Sequence, residues 1–506
     1  MRYMHVFGQG TLKPSDPQKP WSHRVAHAGI WSLALQFAEQ LCVFGRVFVV
    51  AIFLSPRDFG LYNMAFIAAT ALDVLSRVGF EQALIQQKQN ITPYLEVAWT
   101  VRVIRGLLLA LVIFTTAPWV SSFFNEQDAL FFIRAFSLSY IFQGLTNIGV
   151  VTFQKNLEFH REFVYRISGS FIDMVVTVTT AFWFRNVWAL IFGYLASDLM
   201  RLLVSYWIHP FRPRFRLNWI KVKEMFSYGV WMLLFGIAVF VGENGAGVVI
   251  GKIIGATALG YYQFANRITG LAVKQLGFTI HRVAFPAYAS LQGSADSMRE
   301  AYRKIAGLSV ILMMPASAGI FCMGHDFARI FLGDKWMPIV PVLLLLAASS
   351  LIGSILGTGR PAFMGRGRPQ TVFYMQLALC TTLFTLIYPL ASRWGIVGAA
   401  AAMLLSNVSA LTVWFINIRP QLGMKANDLA HIFLPPMMAS ILMASALAGL
   451  RLLTLPLLRD SHVWSILWFG GMILAGIAMY AGCILFFHKR LTNYRPLDDI
   501  IRFFVG

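Results

Sequence analysis

Apolar residues run through this chain in long blocks rather than in alternation. About fourteen such blocks follow one another from His27 to Phe487, divided by short polar loops. Each is long enough for the roughly 20 residues a helix needs to cross a bilayer. The spacing places the spans at 27–54, 60–80, 96–118, 130–150, 163–184, 187–208, 226–251, 256–280, 304–323, 337–357, 371–391, 394–417, 430–450 and 463–487. The fold class expected is an all-α integral membrane protein.

The loops carry positive charge on alternate sides. One side receives Lys88, Lys155, Arg161, the run Arg212, Arg214, Arg216, Lys221 and Lys223, then Arg299, Arg303, Lys304, Arg366, Arg368, Arg419, Lys425, Lys489, Arg490 and Arg495. The other receives fewer, often beside Asp58, Asp326, Asp334 or Asp460. Positively charged loops stay inside, so both termini and the 209–225 loop are expected in the cytosol of a cell with this protein in its inner membrane. The first 26 residues lack an apolar core and a cleavage site and read as a cytosolic lead-in.

Composition sharpens the picture. With 58% hydrophobic and 13% charged residues among 506, and a mean hydropathy of +0.65, no sizeable soluble domain fits. The net charge of +20 is spread over many loops, so it speaks for orientation and against nucleic acid. Cys42, Cys322, Cys380 and Cys483 lie in apolar runs without metal or disulfide spacing. There is no phosphate-loop motif, and no cofactor or metal is expected.

Sliding the chain by 200 positions aligns Trp31 with Trp231, Leu33 with Leu233, Ala38 with Ala238, Gly45 with Gly245, Val49 with Val249, Gly60 with Gly260, Tyr62 with Tyr262 and Ala65 with Ala265. Both copies start on the same side, so the repeat is parallel, and such repeats place a substrate site near the midplane. The organisation expected is a cytosolic segment 1–26, an N-lobe of six helices over 27–208, a basic linker 209–225, a C-lobe of six helices over 226–417, two appended helices within 430–487, and a cytosolic tail 488–506.

Charged groups inside spans are expensive and mark cavities or partners. In the first span Gln36, Glu39, Gln40 and Arg46 share a helical face, and the repeat-related span carries Glu243 and Asn244. The eighth span carries Asn266 and Arg267 about 11 residues in, about 16 Å deep, with Lys274 two turns further on. Arg102 and Arg105 lie in the third span. Asn266, Arg267, Lys274, Arg102, Arg105 and Arg46 are therefore candidate substrate-binding residues, and Glu39 and Glu243 candidate ion-coupling ones. An anionic, phosphate-bearing ligand suits the planar fork of arginine. Asp73 with Arg77 and Asp198 with Arg201 have the spacing of self-satisfied pairs, while Arg360, Arg366 and Arg368 at a Gly- and Pro-rich helix end read as topology signals.

The segments AGIWSLALQFAEQLCVFGRVFVVAIFLSPRDFGLYNMAF and GYYQFANRITGLAVKQLGFTIHRVAFPAYASL and the GRGRP turn resemble the polysaccharide transporter branch of the multidrug/oligosaccharidyl-lipid/polysaccharide exporter superfamily, the Wzx-type flippases, over about 28–487. The resemblance implies fourteen helices and export of undecaprenyl-pyrophosphate-linked sugar repeat units by alternating access, for exopolysaccharide, capsule or O-antigen synthesis. It also implies membrane lipids, a polymerase and a co-polymerase as partners. Related lipid II flippases have an Asp-Arg pair that Asn266-Arg267 resembles; Asn replaces the Asp here, so the role of the arginine carries over better than any acidic role. A cation-coupled drug exporter would prefer an acidic cavity. A membrane polymerase or glycosyltransferase would need larger outward loops, so the chain is not expected to be an enzyme.

Overall fold

Helices start and stop where side chains cap the backbone or glycine turns it. The computed structural model describes residues 21–76, 92–156, 158–219, 229–274, 288, 295–366, 368–454 and 462–490. The first 20 residues of the lead-in, Arg77, the second half of the 209–225 linker, residues 275–280 of the eighth expected span and the tail beyond Arg490 lie outside the described residues. Helix α1 (Trp21–Phe53) ends one turn before α2 (Pro56–Ser76). At that junction the Ser55 N–H donates to the Asp58 carboxylate at 2.8 Å and the Asp58 N–H donates to Ser55 Oγ at 3.3 Å. This reciprocal cap satisfies donors that a helix start leaves open, with Pro56 at the first helical position, where no N–H is needed.

Helices α3 (Thr92–Phe124) and α4 (Ala129–Leu145) follow. After a 3-10 turn comes the short α5 (Val151–Lys155), bent from α4 by 69°. The span expected over 130–150 is thus broken, and Asn147 is the reason. Its Oδ1 accepts from the Gly149 N–H at 2.9 Å, its Nδ2 donates to the Phe211 carbonyl at 2.7 Å, and its own N–H donates to Ser205 Oγ at 3.0 Å. A buried amide that caps a turn competes with continuation of the helix.

The chain continues through α6 (Phe159–Phe184), α7 (Trp188–Ile208), α8 (Gly229–Ile253), α9 (Ala256–Thr269), α10 (Ala295–Phe327), α11 (Ile339–Gly365), α12 (Pro369–Leu422), α13 (Ala426–Thr454) and α14 (His462–Arg490). Eleven of these, or twelve with the bent pair, are long and apolar enough to cross a membrane. Two further departures account for the difference from fourteen. Helix α12 carries the spans expected at 371–391 and 394–417 with no loop between them, because Gly395 turns the chain at φ 59°, ψ −137°. Helix α9 passes into a π-helical turn over Gly270–Lys274 and is described only that far. The chain is a multi-pass all-α membrane protein, and no strand occurs among the described residues.

Two compact units emerge. Unit 1 takes residues 1–53, 68–120 and 128–236; unit 2 takes 54–67, 121–127 and 237–506. In unit 1, α6 packs against α1 and α7, and α4 against α7. In unit 2, α11 packs on α12, α10 and α9, and α13 lies between α10 and α14. The repeat is visible in these partners. Gly45 of α1 meets the Met174 sulfur of α6, and the aligned Gly245 of α8 meets the Phe384 ring in the first half of α12, the span that corresponds to α6 in the second copy. Tyr62 and Tyr262 are both buried, as are Ala65 and Ala265.

Unit 2 holds a compact aromatic knot. Trp336, with no exposed surface, packs against Phe264, Phe59 and Tyr261 at ring-centroid distances of 4.2, 5.3 and 6.0 Å. Lys335 Nζ donates to the Leu54 carbonyl at 3.0 Å, Tyr261 OH donates to the Lys335 carbonyl at 2.9 Å, and Arg57 pairs with Glu126 at 3.0 Å. Helices α10 and α13 are joined at both ends by ion pairs, Arg299 with Asp428 and Arg451 with Asp326, the latter at 2.6 Å.

Candidate functional site

Helix α6 brings a polar stripe into unit 1. Glu162, Arg166, Asp173, Thr177 and Thr180 recur at spacings of three, four and seven and so share a face. That face meets α1. Arg166 grips Glu39 with two bonds, Nε to Oε1 at 3.1 Å and Nη2 to Oε2 at 2.8 Å, while its Nη1 stands 3.7 Å from Glu162. Two turns on, Arg46 pairs with Asp173, which also accepts from Thr177 Oγ1 at 3.2 Å. Glu162 accepts from Gln154 Nε2 at 2.8 Å.

A second polar cluster joins α2, α3, α4 and α7. Arg105 pairs with Asp73 and donates from Nε to Ser76 Oγ and to the Ser76 carbonyl at 3.0 and 3.1 Å. Arg102 Nε donates to the Gln143 carbonyl at 2.9 Å, and Gln143 Nε2 donates at 2.9 Å to Asp198, which also accepts from Ser139. Of the candidate residues in this unit, Arg46, Glu39, Arg102 and Arg105 therefore all sit in hydrogen-bonded networks with neighbouring helices. Buried charges are tolerated on such terms.

In unit 2, Asn266 and Arg267 are half-buried in the last turn of α9, immediately before the π-helical turn that ends at Lys274. Thr269 Oγ1 donates back to the Ala265 and Asn266 carbonyls at 3.2 and 3.0 Å. π-Helical turns occur often at functional positions because they place one extra residue in a turn. Glu243 is exposed on α8, and Arg360 of α11 lies within reach of its charge. Arg360 Nε is buried with no hydrogen-bond partner. Helix α8 is held to α12 close by, where Gln376 Nε2 donates to the Ala238 carbonyl at 3.1 Å.

Sequence reasoning left out Arg166, Glu162, Asp173 and the electrostatic link from Arg360 to Glu243. The α6 stripe was readable from its helical spacing. Its partners were not, because Arg46 and Asp173, like Glu39 and Arg166, are 127 residues apart.

Beside the membrane, His209 follows α7. The Phe211 N–H donates to its Nδ1 at 3.1 Å, and its Nε2 lies 3.2 Å from Thr152 Oγ1. Burial, with the charges of Arg161 and Arg212, lowers its pKa from 6.5 to about 4.

Among the described residues no group of His, Cys, Asp and Glu side chains has the arrangement of a metal site. The family model described as polysaccharide biosynthesis protein matches residues 49–341. The lipopolysaccharide biosynthesis protein WzxC of Escherichia coli (strain K12) is 24% identical over 378 residues, 74% of this chain and 77% of that protein. The succinoglycan biosynthesis transport protein ExoT of Rhizobium meliloti (strain 1021) is 24% identical over 355 residues, 70% and 72% of the two chains. Among solved structures, the lipid II flippase MurJ in an inward closed conformation superposes with a TM-score of 0.74 at 14% identity, covering 92% of this chain and all of that one. The inward-facing conformation of a multidrug resistance MATE family transporter of the MOP superfamily gives a TM-score of 0.57 at 17% identity over 78% of this chain and 98% of that one.

Proposed function

The chain belongs to the polysaccharide biosynthesis protein family, and from that premise we propose that it is a flippase for a lipid-linked oligosaccharide in the bacterial inner membrane. Its substrate class is a polyprenyl pyrophosphate bearing a sugar repeat unit, as in undecaprenyl-pyrophosphate-linked intermediates, with both protein termini in the cytosol. The observation that carries the reading is Arg267, a half-buried arginine in the last turn of α9, set just before an α-to-π transition. A guanidinium there offers two parallel donors to a phosphate, and a π-helical turn is a place where a helix can change register without losing all its backbone bonds.

Arg360 supplies a second cation in the same unit, with Glu243 as its electrostatic neighbour in the absence of substrate. A pyrophosphate brings charge that competes with Glu243 for that guanidinium. The head group is exposed first on one face of the membrane and then on the other, while the lipid tail stays among membrane lipids.

Purified protein in liposomes is expected to move a lipid-pyrophosphate-linked oligosaccharide to the opposite leaflet with its mass unchanged and without ATP. A lengthened or released glycan would make the chain a polymerase or transferase.

A further inference from the structure

The chain between the two repeat copies leaves α7 as a fixed strap. Its sequence over 209–216, His-Pro-Phe-Arg-Pro-Arg-Phe-Arg, holds two prolines, and the residue before each is confined to extended backbone. His209 is extended accordingly, at φ −109°, ψ 127°. Phe211 and Pro213 are half-buried while Arg212 and Arg214 are exposed, so the strap has an apolar underside and a cationic top. Unit 1 holds its backbone in place. Asn147 Nδ2 donates to the Phe211 carbonyl at 2.7 Å, the Arg216 N–H donates to Thr100 Oγ1 at 2.9 Å, and the Phe215 ring rests on Trp99 at a centroid distance of 4.8 Å. The strap thus joins the end of α7 to the beginning of α3, at a level where two helices long and apolar enough to span the membrane both have an end.

Two kinds of side chain crowd that level. Trp207, Phe215 and Trp219 are exposed, and Arg212, Arg214 and Arg216 are interleaved with them. Arg216 pairs with Glu96 at 3.2 Å and still has 71% of its side chain exposed. Arg212 sets its guanidinium against the His209 and Phe211 carbonyls and the face of Tyr206, neutral groups that leave its charge uncompensated. Among the described residues no carboxylate pairs with Arg214.

We propose that this strap is a docking surface for anionic phospholipid headgroups, with Arg212 and Arg214 against lipid phosphates and Trp207, Phe215 and Trp219 at headgroup level. Tryptophan settles at the membrane–water boundary, and arginine beside it is drawn to the negative surface of an anionic leaflet at about 1 kcal/mol per charge. A soluble polyanion would satisfy the arginines and leave three large rings in water. The positive field of the strap reaches inside the fold as well, since burial first and then the charges of Arg161 and Arg212 keep His209 neutral. Bound lipid would fix the depth of this end of unit 1 in the membrane, whatever the chain transports.

The full chain with Leu217→Cys, in a background lacking the four native cysteines, takes a fluorophore beside the strap and is placed in phosphatidylcholine nanodiscs. Brominated phosphatidylglycerol should quench that fluorophore more than the same amount of brominated phosphatidylcholine, and added salt should narrow the difference. The amount of phosphatidylglycerol giving half the effect should rise about fivefold in Arg214→Gln and about fivefold again when Arg212→Gln is added. Arg212→Lys with Arg214→Lys should keep the wild-type value, because attraction to a leaflet needs the charge and not the fork. Arg214→Gln carries the test alone if the double variant fails to fold, since its side chain is exposed and holds no other part of the chain. Equal quenching by the two brominated lipids in the wild type, or a preference that Arg214→Gln leaves untouched, overturns the proposal. So does inorganic phosphate that abolishes the preference at an ionic strength where chloride does not, which would mark a site for a free anion.

Discussion

Gly60 and Gly260, aligned by the internal repeat, make the same contact in exchange. A Cβ on Gly60 would lie 1.7 Å from the Ala256 carbonyl oxygen, and a Cβ on Gly260 would lie 1.8 Å from the Pro56 carbonyl oxygen. Positions 56 and 256 are themselves 200 apart, so the start of α2 and the start of α9 cross with each presenting to the other what it receives. Reciprocity of this kind is the mark of a two-fold contact, here between two copies within one chain.

Gly60→Ala and Gly260→Ala are each expected to destabilise the protein by roughly 1–3 kcal/mol, because backbone rather than a movable side chain blocks the added methyl. Thermal unfolding in detergent measures it. The double variant should fall short of the sum, since the first substitution already parts the two helices. Gly470→Ala, with nothing within 4 Å of the added atom, serves as the neutral control.

Orientation is testable with single cysteines in a background lacking Cys42, Cys322, Cys380 and Cys483. Gln127 and Arg214 are both exposed, and the charge pattern of the loops leads us to expect them on opposite sides. Cysteine at 127 should react with an impermeant maleimide added to spheroplasts, and cysteine at 214 only after the membrane is opened. Reaction at 214 in sealed spheroplasts reverses the topology.

Arg267→Ala is expected to lower translocation at least tenfold, about 1.4 kcal/mol or more, at unchanged protein abundance. Arg267→Lys should recover part of it, because an ammonium keeps the charge and loses the fork. Arg360→Lys should behave likewise if a phosphate meets both guanidiniums. Full surface polysaccharide with Arg267→Ala at equal abundance would leave Arg267 a structural residue.

His209 gives a pH dependence of definite sign. Its pKa in the folded chain is about 4 against 6.5 when free, so folding requires the neutral ring. Above about pH 6.5 both states are neutral and nothing is lost. As pH falls from 6.5 toward about 4, the unfolded segment takes up a proton that the folded one refuses, and stability declines by at most about 1.4 kcal/mol per pH unit. The hydrogen-exchange protection factor at Phe211, corrected for the intrinsic pH dependence of exchange, should fall over that window. In His209→Gln the pH dependence should vanish, at the expense of a lower starting stability.

How much of this was legible in the sequence depends on the range of the interaction. Hydropathy blocks and loop charges act locally, so the spans and the repeat could be read directly. The bend at Asn147 could not, because its partners Ser205 and Phe211 are 58 and 64 residues away and hydropathy does not register a hydrogen-bonded amide. Gly395 was invisible for the opposite reason: a single left-handed residue turns the chain without any polar loop to announce it. Glu39 stood out as an acid within a span. That it answers Arg166, 127 residues further on, depends on how α1 and α6 meet.

The paired ends of α10 and α13 also impose a timetable on biogenesis. Arg299 meets Asp428 and Asp326 meets Arg451 across 129 and 125 residues of chain. At about 5–20 residues per second, a ribosome needs roughly 6–26 s to supply the second member of each pair after the first. Through that interval both charged ends of α10 await the counter-ions that complete them. Helix α13 therefore supplies, in one piece, both partners of a helix made that long before it.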